Sequence, residues 1–297
     1  RRGLSVQTAE IMLSSLTENT VKQYSNPIKL WWQFCNKKGL DPFEISESEL
    51  LDFLSIRFEA GASYGTLNSM RAAISLIAGT NLSDSVLLNR FFKGVFKQRP
   101  LKARYDRTWD PKIVLDFLEK WSPVESLNLS ELTKKVATLL ALGTGHRLQT
   151  LAAISLTNIK KSKTGLEIEI KDLIKTSKKG RKQPLLQLPT FKEKPQLCIV
   201  THVLRYIEVT KKLRKDCKKL LITWKKPHKE ASSQTISRWI KSVLSASGVS
   251  EEFTGYSTRH ASTSSAFRKG LDINVIKSTA GWSKSSEVFA RFYNRPL

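Results

Sequence analysis

The sequence predicts a mainly α-helical protein with one small antiparallel β-sheet, arranged as an all-helical first domain and an α+β second domain. Three observations predict it. Apolar residues recur every three or four positions through the first hundred residues, the rhythm of helices that bury one face. Leu166-Glu167-Ile168-Glu169-Ile170 alternates strictly, and Leu185 to Leu188 can pair with it across a charged connection, which is a strand pair. Charge changes near residue 100: residues 1–100 carry 12 basic and 9 acidic side chains, and residues 101–297 carry 38 and 17. The expected division is a helical domain over residues 1–97, a linker over 98–110 and a second domain over 111–297. A chain of 297 residues, 40% of them hydrophobic, can fill two such cores.

In the first domain, Val21, Tyr24, Ile28, Trp31, Trp32 and Cys35 mark a helix between Ser15 and Leu40, with Pro27 inside it and Gly39 as its stop. Ser46-Glu47-Ser48-Glu49 is a capping box that opens a helix through Phe53, Leu54 and Phe58, closed by Gly61. Leu67, Met70, Ile74 and Ile77 mark a third helix, and Val86, Leu87, Phe91, Val95 and Phe96 a fourth. Nothing in this bundle asks for chemistry. The segment Gln98 to Asp110 is basic and lacks an apolar rhythm. Asp110-Pro111 then supplies an N-cap and a proline at the first helical position. Helices are expected at 111–121, at 130–142, from Arg147 to Ile154 after the break Gly143-Thr144-Gly145, at 199–212, at 234–246, from Arg259 to Lys269, after Asp272, and from Ser285 to Phe292. Lys175-Thr176-Ser177-Lys178-Lys179-Gly180-Arg181-Lys182 joins the two strands.

Composition narrows the function. The net charge is +24 and the pI about 10.0, a surplus that suits a polyanion, nucleic acid above all. No apolar run is long enough to span a bilayer, and the opening Arg1-Arg2-Gly3 leads into no signal-peptide core. The absence of an initiator Met suggests a fragment. Cys35, Cys198 and Cys217 are odd in number and widely spaced, which argues for a reducing compartment and against a disulfide framework. His146, His202, His228 and His260 have no second ligand at metal spacing, and no P-loop, dinucleotide fingerprint or Gly-x-Ser-x-Gly elbow is present. No metal and no cofactor is therefore expected.

What remains is a set of cations and hydroxyls at the ends of elements: Arg147, Lys175, Tyr256, Arg259, Trp282 and Tyr293. Taken singly, each is an ordinary surface or core residue. Their order resembles that of the tyrosine recombinase (phage integrase) family. Thr144-Gly145-His146-Arg147 looks like the family's first Arg box, Ile174-Lys175-Thr176 like its hairpin lysine, and Tyr256-Ser257-Thr258-Arg259-His260 like His-x-x-Arg-His. Ala280-Gly281-Trp282 stands where Leu-Gly-His does, and Phe292-Tyr293 where the nucleophile does. The resemblance covers nearly the whole chain and implies a helical core-binding (SAM-like) domain followed by the recombinase catalytic domain. The wording Gly281-Trp282-Ser283 and Phe292-Tyr293-Asn294-Arg295-Pro296 is most similar to recombinases of eukaryotic mobile elements, the crypton- and DIRS-like groups. Two departures stand out: Tyr256 replaces the usual His or Lys, and the stretch from Trp282 to Tyr293 is longer than usual. The chain also ends soon after Tyr293, where many members continue into a helix that docks on a neighbouring subunit, so that helix is expected to be absent or trimmed.

The resemblance implies site-specific cutting and rejoining of double-stranded DNA through a 3′-phosphotyrosine at Tyr293, by a homo-oligomer (dimer or tetramer) on DNA. Arg147 and Arg259 would hold the phosphate, because forked guanidinium donors suit its non-bridging oxygens. Lys175 would protonate the leaving oxygen, with Lys171, Lys178 and Lys179 as rivals in the same hairpin. Trp282 would bind the phosphate or simply pack the core. Tyr256 would donate a hydrogen bond to the phosphate, and His260 would take a structural or proton-handling role. Lys178, Lys179, Arg181 and Lys182 would contact DNA. The basic runs Lys211-Lys212-Leu213-Arg214-Lys215 and Lys225-Lys226-Pro227-His228-Lys229 would follow backbone phosphates or face solvent. A type IB topoisomerase-like relaxing enzyme shares this residue pattern, and a domesticated, non-cleaving DNA-binding protein is a third reading. Localisation is expected to be nuclear in a eukaryotic source and cytoplasmic otherwise, with no membrane partner.

Overall fold

The computed structural model describes residues 5–77, 85–100, 104–283 and 285–297. The chain forms two compact units, Arg1–Lys102 and Ala103–Leu297. In the first, helices α1 (Val6–Leu13), α2 (Glu18–Lys38), α3 (Glu47–Glu59), α4 (Tyr64–Ser75) and α5 (Val86–Gln98) follow one another. The local signals act as expected. Gly39 ends α2 in the left-handed conformation at φ 68°, which costs a residue without Cβ nothing. Ser46 Oγ accepts from the Glu49 N–H while the Glu49 carboxylate accepts from the Ser46 N–H. α2 runs through Pro27 without a break. Trp31, Phe53, Leu54, Leu67, Ile74 and Leu88 close a core of their own, with the Trp31 and Phe53 rings edge to face at 5.3 Å. α1 has no counterpart in the sequence reading, and the reason is physical. It buries no residue, so it has no stripe to show; Ser5 caps it by accepting from the Thr8 N–H.

The second unit contains α6 (Pro111–Glu119), α7 (Leu129–Thr144), α8 (Leu148–Ala152), α9 (Ile199–Thr210), α10 (Ser233–Ala246), α11 (Ser257–Arg268) and α12 (Ile273–Thr279). Its sheet is β1 (Ile159–Lys161), β2 (Gly165–Glu169) and β3 (Leu185–Pro189), antiparallel in that order. Leu166 lies opposite Leu188 and Ile168 opposite Leu186, so the alternating side chains put all four on the buried face. β1, at three residues, is too short to carry an alternation and was not anticipated. α7 is the central helix: eleven of its sixteen residues are buried, with α9, α10 and α11 packed against it.

Four expectations need correction. Of the segment 98–110 expected as a linker, residues 101–103 lie outside the described residues and residues 104–110 are part of the second unit. Tyr105 and Trp109 are buried in its core, and Arg107 pairs with Glu252 at 2.6 Å. No periodicity marks them because they insert from an irregular segment that is neither helix nor strand. α11 starts at Ser257 rather than Arg259, which places Arg259 inside its first turn. The expected last helix from Ser285 is instead a π turn over Phe289–Tyr293, closed by the Asn294 N–H on the Phe289 carbonyl at 2.9 Å. Phe289 and Tyr293, at the two ends of this turn, both face inward. Finally, Arg214 belongs to no phosphate-facing run. It is buried, and its three nitrogens donate to Thr210 Oγ1 and to the carbonyls of Lys219 and Leu220. No helix among the described residues is long and apolar enough to cross a membrane.

The Ser46 cap offers a direct test. Ser46→Ala removes the acceptor for an orphan N–H of α3 and is expected to cost about 1 kcal/mol, read as a lower midpoint in urea denaturation of the whole chain.

Candidate active site

Arg259 leaves the first turn of α11 and is 1% exposed. Its Nη1 donates to the Gly145 carbonyl at 2.5 Å and to the Ala280 carbonyl at 2.6 Å. Gly145 is the C-cap of α7 and Ala280 the C-cap of α12, so the guanidinium sits at the carbonyl ends of two helices, where a cation is favoured. One face lies on the Trp282 ring, 3.7 Å from its centroid, and the Tyr293 ring is 5.3 Å away. Among the described residues Arg259 has no carboxylate partner, and its Nε and Nη2 are buried without a well-aligned hydrogen bond, the Tyr293 hydroxyl being the side chain within bonding reach. Burial first, then the Arg147 charge, lower its pKa to about 10.

The neighbouring elements are shaped to approach it. Gly145 has φ 60°, and a Cβ there would lie 3.2 Å from Thr263 Cγ2 and 3.4 Å from Ala280 Cβ. Gly281 has φ 73°, and a Cβ there would lie 2.7 Å from His146 Cε1. His146 is thus packed flat against the loop that carries Trp282. The chain then turns at Arg147, which caps the short α8 and is half-buried. On the far side, Trp109 Nε1 donates to Ser257 Oγ at 2.9 Å and holds the first turn of α11 in place.

Tyr293 joins a separate apolar cluster with Ile276, Ala280, Trp282 and Phe289. It is 4% exposed, stacks on His260 with centroids 4.1 Å apart, and meets the Trp282 ring edge to face at 4.9 Å. Its carbonyl accepts from Ser264 Oγ, and its hydroxyl is hydrogen-bonded to the hydroxyl of Tyr256. Trp282 Nε1 and His260 Nδ1 are buried without partners. The donors left over from folding therefore gather around Arg259, and the phenol stands beside them.

The strand connection borders the same place. A cleft of about 550 Å³ is lined by His146, Thr176, Arg181, Lys182, Gly281 and Trp282, among others. Arg181 Nη2 donates to the Gly281 carbonyl at 3.2 Å, and the Lys175 N–H donates to Gln149 Oε1 on α8 at 3.2 Å. The Lys175, Lys178, Lys179 and Lys182 side chains are exposed. The structure thus brings together Arg147, Tyr256, Arg259, Trp282 and Tyr293, with Lys175 tethered next to them through its backbone. Two contributors were missed as such: His146, read only as part of a motif, and Arg181, read as a DNA contact although it also ties the hairpin to the Gly281 loop. The position of His146 beside a residue expected to be functional was the only signal. Among the described residues no three His, Cys, Asp or Glu side chains gather as a metal-holding group.

The fold is that of tyrosine recombinase catalytic domains. Residues 114–296 match the Phage integrase family, and the chain belongs to that family. Among solved structures it is similar to the Tn1549 transposon integrase in complex with transposon right-end DNA, with 16% identity, 98% of this chain and 95% of that chain covered, and a TM-score of 0.61. It is similar to the XerH site-specific recombinase bound to difH substrate, with 16% identity, 92% and 75% covered, and a TM-score of 0.60. A lambda integrase dimer bound to a COC′ core site shares 19% identity, with 97% and 93% covered and a TM-score of 0.55. At these identities the likeness is one of fold. No curated protein matches the chain by sequence.

The buried histidines set a pH limit on stability. Burial, then the Arg259 charge, hold His146 down to about 4, and burial with Arg295 does the same to His260. Both start from an ordinary value of 6.5, so the unfolded chain takes up protons first as pH falls. Their contribution is complete above pH 6.5 and is lost between 6.5 and about 4, by on the order of 1 kcal/mol per pH unit for each. Melting temperature measured across that window should fall steeply, and His146→Gln should flatten the slope.

Proposed function

We propose that this protein is a DNA strand transferase of a mobile element, which cuts and rejoins duplex DNA through Tyr293. The observation that carries this reading is Arg259: a buried guanidinium with no carboxylate among the described residues and two nitrogens without a well-aligned hydrogen bond, beside an unpartnered Trp282 Nε1 and the Tyr293 phenol. A buried charge of this kind calls for an anion. A phosphodiester would supply one whose charge grows as phosphorus becomes five-coordinate, where pre-set donors act most strongly.

In the proposed reaction Arg147 and Arg259 hold the non-bridging oxygens and Trp282 Nε1 adds a donor. The Tyr293 oxygen attacks phosphorus; the bond to the 5′ oxygen breaks, and Lys175 gives that oxygen its proton. The 3′-phosphotyrosine conserves the diester bond energy, so a 5′ hydroxyl can reverse the step without a nucleotide. Lys178, Lys179, Arg181 and Lys182 would bind the DNA backbone, and the net +24 favours the encounter. Family membership supports a recombinase of this kind, and the Gly281-Trp282-Ser283 and Phe292-Tyr293-Asn294 wording supports a crypton- or DIRS-like source. Action as a dimer or tetramer on DNA is proposed from the same relationship, the similar lambda integrase being a dimer on its core site.

The test uses a pool of nicked suicide duplexes with a randomised core. The wild-type protein should give protein–DNA adducts that survive denaturing electrophoresis, and Tyr293→Phe none; adducts that persist in Tyr293→Phe would overturn the reading. Arg147→Ala, at a half-exposed position, should lower adduct formation by about a hundredfold or more while duplex binding in a gel shift changes only severalfold.

A further inference from the structure

Tyr256 is where this chain departs from its family, and its surroundings differ from those expected of a phosphate ligand. Its hydroxyl meets the hydroxyl of Tyr293. The two tyrosines, with Arg104, Tyr105 and His260, line a cleft of about 250 Å³, which is separate from the one beside Trp282 and Arg181. We propose that Tyr256 serves the nucleophile rather than the phosphate: its O–H donates to the Tyr293 oxygen and stabilises that oxygen as a phenolate, both when it attacks and when it leaves in religation. The inference rests on Tyr293 being the nucleophile.

The geometry decides which oxygen carries the charge. Tyr293 is the inner ring, stacked on His260 and near the Arg259 guanidinium, whereas Tyr256 is 37% exposed at the mouth. The groups that face the pair are Arg259 and His260 from α11, Arg147 at the head of α8, Arg104 and Tyr105 from the strip before α6, and Arg295 just after Tyr293. Those carrying charge are all cationic, and His260 is held neutral by burial. One phenolate is therefore favoured and a second, adjacent to the first, is not. Burial, followed by its bond to Tyr293, pushes Tyr256 up to about 12, in keeping with Tyr256 as the hydroxyl that donates.

The protons balance without a dedicated base. In cleavage the Tyr293 proton passes to solvent through the open mouth at Tyr256, the Tyr293 oxygen bonds to phosphorus, and the Tyr256 proton stays in place. In religation the oxygen–phosphorus bond breaks, its electron pair returns to the Tyr293 oxygen, and the Tyr256 O–H meets the returning charge. A donated hydrogen bond makes a phenolate less basic. That raises the ionised fraction more than it weakens attack, and it makes the phenolate a better leaving group.

Tyr256→Phe keeps the ring and removes only the oxygen. Adduct formation on the nicked duplexes captured by the wild-type protein is measured from about pH 6 to about pH 10, together with religation of the isolated adduct by a 5′-hydroxyl strand. The expected result is a loss of about ten- to a hundredfold near neutral pH, recovered as pH rises, with religation slowed as well. A loss equal at every pH, or an unchanged profile, would overturn the inference. Tyr293→Phe run alongside keeps the two claims apart: adducts in that variant would refute the nucleophile assignment, whereas a dead Tyr293→Phe with an unaltered Tyr256→Phe profile would refute only the role of Tyr256.

Discussion

The burial of one guanidinium organises the second unit. Arg259 is taken out of water with no carboxylate among the described residues to neutralise it, and two helix ends supply the compensation through the carbonyls of Gly145 and Ala280. Carbonyl dipoles hold a cation in place but leave its formal charge intact. They also leave Nε and Nη2 without a well-aligned hydrogen bond. The same arrangement that makes Arg259 foldable leaves part of its hydrogen-bonding capacity unused by the helix ends. A carboxylate in that place would have satisfied the guanidinium and used up the site.

The surrounding structure can be read as what this burial requires. Gly145 lets α7 stop in a left-handed residue where Thr263 and Ala280 crowd it, and Gly281 lets the His146 ring lie against the loop backbone. His146 is kept neutral by burial beside two arginines, so it fills space without adding a third charge. Trp109, from a strip that no pattern marks, pins Ser257 at the head of α11. The π turn carries Phe289 and Tyr293 and sets the phenol between His260 and Trp282. The contacts of Gly145, Gly281, Trp109 and His260 join residues far apart in the chain, so the site exists only when the unit is folded.

Positive charge has two uses here. The hairpin lysines, Lys175, Lys178, Lys179 and Lys182, are exposed, and any attraction they exert on a polyanion is screened by salt within about 10 Å. Arg259 works in a low-dielectric setting where screening is weak and geometry is set in advance. Arg181 stands apart: it is exposed, yet it fastens the lysine-rich connection to the Gly281 carbonyl.

Much was legible in the sequence because it is local. The stripes of α2 to α5, the Ser46-Glu49 box, the Gly39 stop, the Asp110-Pro111 start and the pairing of Leu166 to Ile168 with Leu186 to Leu188 depend only on neighbours in the chain. The family, too, could be seen from the order of a few polar residues. The sequence by itself therefore determined the element types, the small sheet and the kind of residues available for chemistry. Only the tertiary structure decided that Tyr105 and Trp109 are core, that Arg214 is a buried staple, that the last helix is a π turn, and that the Tyr256 hydroxyl meets Tyr293. Those outcomes turn on which distant carbonyl, ring or hydroxyl satisfies a buried group, and hydrogen-bond satisfaction across a core has no period along the chain.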